Sequence, residues 1–130
     1  MNKREFGKRA EKLACYYIKN HGGVILSTNY FFPGGEIDII YKDAEKIVFA
    51  EVKCRSNEKY GTAFGAVTIE KQRKISRGCD FFLYQNNLNE FTPIRFDVIG
   101  VTISEDDRAF KVDMIKDAFS YQQKHKRRLW

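Results

Sequence analysis

The chain has 130 residues, 43% of them hydrophobic and 15% aromatic, and a net charge of +6. That is apolar material for one domain around one core, and it excludes a disordered chain. No apolar run approaches the ~20 residues of a membrane-spanning helix, and charges interrupt the start of the chain, where a secretory signal would need its apolar stretch.

Taken in order, residues 4–20 read as an amphipathic helix. Phe6, Ala10, Leu13, Ala14, Tyr17 and Ile18 recur at helical spacing, basic residues lie opposite, and Asn20-His21-Gly22-Gly23 supplies the stop. Val24–Ser27 is a short strand, and Asn29–Gly35 a turn region marked by Pro33-Gly34-Gly35. Glu36–Tyr41 and Ile47–Cys54 form a hairpin joined by residues 42–46. Arg55–Gly65 is a polar loop. Thr68–Gln85 is a second helix with Thr68 as its N-cap and a stripe of Ile75, Cys79, Phe82 and Leu83. Ile94–Ile103 is a nearly apolar strand interrupted by Asp97, Ala109–Asp113 an edge strand, and Ile115–Tyr121 a short helix. The expectation is an α/β fold of one domain over residues 1–122, with a mixed central sheet flanked by helices and a basic tail over 123–130.

The chemistry concentrates in Gly35-Glu36-Ile37-Asp38-Ile39-Ile40 and Val48-Phe49-Ala50-Glu51-Val52-Lys53. Strands that are apolar on both faces are normally buried, and buried charge is paired, metal-bound or functional. Strand alternation puts Glu36, Asp38 and Ile40 on one face, and Ile47, Phe49, Glu51 and Lys53 on one face of the next strand. Where the register aligns these faces, Asp38, Glu51 and Lys53 converge. Carboxylate oxygens suit Mg²⁺, which keeps waters and leaves room for a phosphate. Lys53 could hold the attacking water or neutralise charge developing on a phosphoryl group. The competing arrangement is a solvent-facing Glu51–Lys53 pair on an edge strand, with Asp38 a surface charge near a turn. Glu11, one position from the apolar helix face, reads by itself as an exposed Glu with i,i+4 basic neighbours.

The pattern resembles the PD-(D/E)xK nuclease superfamily, and more closely the YraN-like family of small bacterial proteins related to archaeal Holliday junction resolvases. The likeness runs from about Gly7 to Val98. It takes in Gly7-x-x-Ala10-Glu11-x-x-Ala14, Asn29-Tyr30, the two strand motifs, Arg55-Ser56, Gly61, Ala66-Val67, Lys71-Gln72 and Arg95-Phe96-Asp97-Val98. The resemblance implies a restriction-endonuclease-like αβββαβ core and a Mg²⁺-dependent endonuclease, with Mn²⁺ able to substitute. It implies that Asp38, Glu51 and the Val52 carbonyl ligate the metal, with Glu11 joining directly or through water, and that Lys53 is the catalytic lysine. Glu36 and Gln72 become accessory residues. Two positions depart from the pattern: Phe31 stands where a basic residue is expected after the Asn-aromatic pair, and Ala50 replaces a more usual Val.

Arg9, Lys12, Arg55, Lys71, Arg73 and Lys74 are candidates to contact DNA phosphates, as are Arg4, Lys8 and Lys59; a solvated helix face is the alternative. Tyr60 and Phe64 could stack on unpaired bases or pack as a lid. The expected partner is DNA, branched or single-stranded, with no membrane, and a homodimer would suit a symmetric junction. Cys15, Cys54 and Cys79 form no C-x-x-C pair, and His21 and His125 lack ligand spacing, which argues against structural zinc and for a reducing cytoplasm. Two other functions fit less of the sequence: a non-enzymatic nucleic-acid-binding protein on a nuclease-like fold, and an adaptor using its aromatic surface.

Overall fold

The computed structural model describes residues 2–55 and 67–122. Ser56, Lys59, Tyr60, Gly61, Phe64, Ala66 and the basic tail over 123–130 lie outside the described residues.

Seven elements follow one another: α1 (Lys3–Asn20), β1 (Val24–Phe32), β2 (Gly35–Asp43), β3 (Lys46–Arg55), α2 (Ile69–Gln85), β4 (Ile94–Ile103) and β5 (Phe110–Ile115). The sheet order is β1-β2-β3-β4-β5. All neighbours are antiparallel except β3 and β4, which are parallel and joined by the α2 crossover. The expected αβββαβ order and mixed sheet are therefore present, with β5 added at one edge.

Local chemistry sets the helix ends. Asn2 and Glu5 form a reciprocal capping box at the start of α1, and Thr68 Oγ1 accepts from the Lys71 N–H at the start of α2. Each helix covers one face of the sheet. Ala10, Leu13, Ala14 and Ile18 of α1 pack with Ile39, Tyr41, Val48, Ala50, Ile99 and Val101. On the other face Ile75, Cys79, Phe82 and Leu83 of α2 pack with Phe32, Ile37, Ile40, Ile47, Phe49 and Phe96. A Cβ on Gly78 would lie 2.5 Å from Phe32 and 2.6 Å from Ile37, so only glycine lets α2 settle this closely on the first hairpin.

The sheet departs from the sequence expectations in three places. First, β1 runs on to Phe32 through the residues expected to turn, because Asn29 takes a left-handed φ of 50° without leaving the strand. The turn itself is confined to Pro33-Gly34, where Gly34 has φ 98°. Second, Ile115–Tyr121 is not a helix. Asp117 adopts φ 54°, Ala118 N–H donates to the Phe96 carbonyl, and Phe119 stacks on Phe96, so packing onto β4 prevails over helical hydrogen bonding. Third, β3 is the central strand, which removes the edge-strand arrangement for Glu51 and Lys53.

A buried charge network sits next to Phe96 in the first half of β4. Asp97 is 0% exposed and is gripped by Arg95 through Nε–Oδ1 at 2.9 Å and Nη2–Oδ2 at 3.0 Å. Tyr41 Oη donates to Asp97 at 2.7 Å, the Asp117 N–H donates at 3.0 Å, and Arg95 reaches Asp43 at 2.8 Å. Burial and the Asp97 carboxylate hold the Tyr41 hydroxyl well above the usual phenol range. The Asp97 charge that interrupts an apolar strand thus has a structural explanation.

Candidate metal centre

The site forms where the sheet loses its regular pairing. The β2–β3 ladder runs from Asp43↔Lys46 to Ile39↔Ala50 and stops. In the β1–β2 ladder the pairs Thr28↔Ile39 and Tyr30↔Ile37 flank an unpaired step at Asn29 and Asp38. Ile37 packs under α2, whereas Ile39, two residues on, packs under α1. Strand β2 therefore turns over at Asp38. The simple alternation expected for Glu36, Asp38 and Ile40 fails here: Ile40 belongs to the α2 core, and Glu36 meets α1. The face expected for Ile47, Phe49 and Glu51 holds, because Glu51 reaches α2.

Asp38 sits in the seam. Its Oδ2 accepts the Val52 N–H at 2.8 Å, where a regular ladder would present a backbone carbonyl. In extended backbone a residue's N–H and C=O point the same way, so the Val52 carbonyl also turns toward the seam. On the α1 side, carboxylate oxygens of Glu11, Glu36 and Asp38 all lie within 4.8 Å of one another. Asn29 holds that group together: its Nδ2 donates to both Glu11 oxygens at 3.2 Å and to Glu36 at 2.9 Å. On the α2 side Glu51, with its side chain 14% exposed, pairs with Lys71 at 3.6 Å.

Four carboxylates thus surround one seam, but not as one cluster. Glu36, expected as an accessory, stands with Glu11 and Asp38, while Glu51 approaches Asp38 from the other face. Lys53 is half-buried on β3, two residues from Glu51, and close enough to lower the Glu51 pKa by its charge. Gln72 braces the start of α2 by donating to the Val67 carbonyl at 2.9 Å. Of the residues expected to meet DNA, Lys71 lies at the site. Arg73 and Lys74 are exposed on α2, Lys12 is exposed on α1, Arg55 is half-buried, and Arg9 pairs with Asp107 at 3.2 Å. Sequence reasoning gave Asn29 no role; its place beside an aromatic in a quoted motif was the available signal. It also passed over Arg77, whose guanidinium packs against Gly34 at the tip of the first hairpin.

The electrostatics fit a hard cation. Burial, then the neighbouring Glu51 charge, pushes Asp38 up to about 7, against a relieving hydrogen bond from Val52. Burial also pushes Glu51 up, offset by Lys71. The donors are all oxygens, as a hard divalent ion requires. Because the folded protein holds the Asp38 proton more tightly than the unfolded chain, ionisation opposes folding as pH rises from about 4 to about 7. Asp38→Asn keeps an acceptor for Val52 and removes that opposition. In chelator, the variant should be more stable than wild type at about pH 8, by on the order of 2 kcal/mol after allowance for partial exposure, and show no gain near pH 4, as chemical denaturation at the two pH values would measure. A gain independent of pH would contradict this account of Asp38.

Fold and site together define a mixed α/β protein with a seam of half-buried carboxylates where the pairing of β2 with its central strand ends. The sequence profile described as uncharacterised protein family UPF0102 matches residues 10–101, and the chain belongs to that family. A UPF0102 protein of Clostridioides difficile (strain 630) is 43% identical over 119 residues, covering 92% of this chain and all of the relative. One from Chlorobium chlorochromatii (strain CaD3) is 40% identical over 123 residues, 92% and 94% of the two chains. A third, from Legionella pneumophila (strain Philadelphia 1), is 36% identical over 116 residues, 89% and 95% of the two. These names state no activity. Among the described residues no helix is long and apolar enough to cross a membrane.

Proposed function

We propose that this protein is a metal-dependent endonuclease of the PD-(D/E)xK type that hydrolyses phosphodiester bonds in DNA. The observation that carries the proposal is the Asp38–Glu51 pair. Two half-buried carboxylates flank a break in the sheet, both with raised pKa values, and among the described residues Lys71 is the direct ion-pair partner of Glu51. Such a pair calls for a divalent cation.

Asp38, Glu51 and the Val52 carbonyl would hold Mg²⁺, or Mn²⁺ in its place, with Glu11 joining directly or through water. The ion would polarise the phosphoryl oxygens and make water a better nucleophile. The chain's own groups do the rest. The Val52 N–H fixes the Asp38 carboxylate, and Asn29 fixes Glu11 and Glu36, so the acidic groups are oriented before substrate arrives. Lys53 holds the attacking water or neutralises charge that develops on the phosphoryl group. Lys71 offsets Glu51 in the free protein; with a cation present its ammonium becomes available to a DNA phosphate. Arg73 and Lys74 extend that basic face along α2.

Purified protein should cleave single-stranded or branched DNA in Mg²⁺ or Mn²⁺ and not in EDTA. Salt-sensitive binding without metal-dependent cleavage on any of these substrates would instead favour a non-enzymatic nucleic-acid-binding protein.

A further inference from the structure

Phe31 is 72% exposed, although it lies in a strand between two residues that are packed. Phe32 is buried against Phe81 and the Gly78 turn of α2, and Tyr30 packs edge-on against Phe82 and donates its hydroxyl to Gln85. These anchors fix the backbone on both sides of Phe31 and direct its ring to the opposite face. There its cross-strand partner is Glu36, whose carboxylate stands within 4.8 Å of ligand atoms on Glu11 and Asp38. Directly opposed side chains on an antiparallel pair have Cβ atoms ~5 Å apart, so the ring borders the acidic seam. At the hairpin tip, Arg77 lays its guanidinium against Gly34.

An apolar ring exposed to water next to carboxylates contributes nothing to the core. A flat π-face beside a phosphodiester-cleaving centre suits one ligand, an unstacked nucleobase, and every base offers such a face. In duplex DNA the bases are stacked on one another and give Phe31 no face to meet. Resting on the nuclease function proposed above, we infer that Phe31 is a stacking platform for an unpaired base next to the scissile phosphate. It selects single-stranded or flapped DNA over continuous duplex, with Arg77 available to the flanking phosphate.

The test is binding, measured apart from cleavage. In the full chain carrying Glu51→Gln, anisotropy of a labelled mixed-sequence single strand and of its blunt duplex is compared with and without Phe31→Ala. The single strand should bind on the order of 10-fold more weakly after Phe31→Ala, with duplex affinity changed less than about 2-fold, and Phe31→Trp should restore binding. Quenching of 2-aminopurine in the single strand should fall in parallel. Equal losses on both DNAs, no loss on the single strand, or failure of Trp to restore binding would each overturn the inference. A wild-type protein that binds in this selective way but never cleaves would refute the nuclease proposal and leave the platform standing.

Discussion

Glu51→Gln is expected to lower Mg²⁺-dependent DNA cleavage on the order of 10³-fold, as loss of a group acting directly on transition-state charge does, while the protein stays folded. The second half of that expectation follows from the environment of Glu51. Its carboxylate is nearly covered, its pKa is raised by burial, and its ion-pair partner Lys71 is 41% exposed. Neutralising such a group removes an exposed-partner ion pair, worth about 0–1 kcal/mol, and at the same time relieves an unfavourable burial of charge. Thermal unfolding in chelator should therefore move little. Lys53→Met should lose activity similarly, since Lys53 shares the strand face of Glu51. If Glu51 served only to pair with Lys71, the variant would cut DNA as fast as wild type. Assay of both variants beside wild type, with Tm measured on the same preparations, separates the two outcomes.

Arg95→Met should have the opposite signature: a large loss of stability, with the metal site untouched. Arg95 is the main counter-charge for Asp97, which has no solvent exposure, and it also ties Asp43 of β2 to β4. Removing one partner of a buried pair strands the other charge, at a cost of about 3–5 kcal/mol. For a domain of this size that corresponds to a Tm fall of roughly 10 °C or more. Adding Asp97→Asn should recover part of the loss, because the neutral amide can accept the Asp117 N–H through its oxygen and donate through its nitrogen to the Tyr41 hydroxyl, which turns to accept. Chemical denaturation of the two single variants and the double variant measures the coupling. Strictly additive losses would contradict the pairing.

Asp38 and Asp97 offered the same signal in the sequence, a carboxylate in an apolar strand, and the structure separates them. For Asp97 the answer was two residues away: Arg95 lies on the same face, and R-x-D spacing on a strand brings the two together. For Asp38 no such partner exists on β2. The helices and β4 were legible because their periodicity and capping residues are strong, down to Thr68 at the N-cap of α2. The mixed, helix-covered sheet followed from the alternation of strands and helices. What alternation could not supply was the reversal of β2 at Asp38, which falls opposite a left-handed Asn29 on the neighbouring strand. Without that reversal Glu36 would have stayed on the face of Ile40, and the meeting of Glu11, Glu36 and Asp38 could not be foreseen from strand parity. Glu11 entered through family resemblance alone; its helix position favoured solvent. The helix expected over Ile115–Tyr121 failed because Ala118 and Phe119 bond to and pack on Phe96 of β4 instead of closing a helical turn.

The family names state no chemistry, and metal-dependent cleavage requires that the seam take up a divalent ion. The most direct measurement is anomalous diffraction from crystals soaked in Mn²⁺. The expected result is an ion bound by Asp38 and Glu51 together, about 2.1 Å from each nearest carboxylate oxygen, with the Val52 carbonyl completing the protein ligands. A seam without Mn²⁺, or Mn²⁺ held by Glu11 and Glu36 with Glu51 still on Lys71, would contradict it.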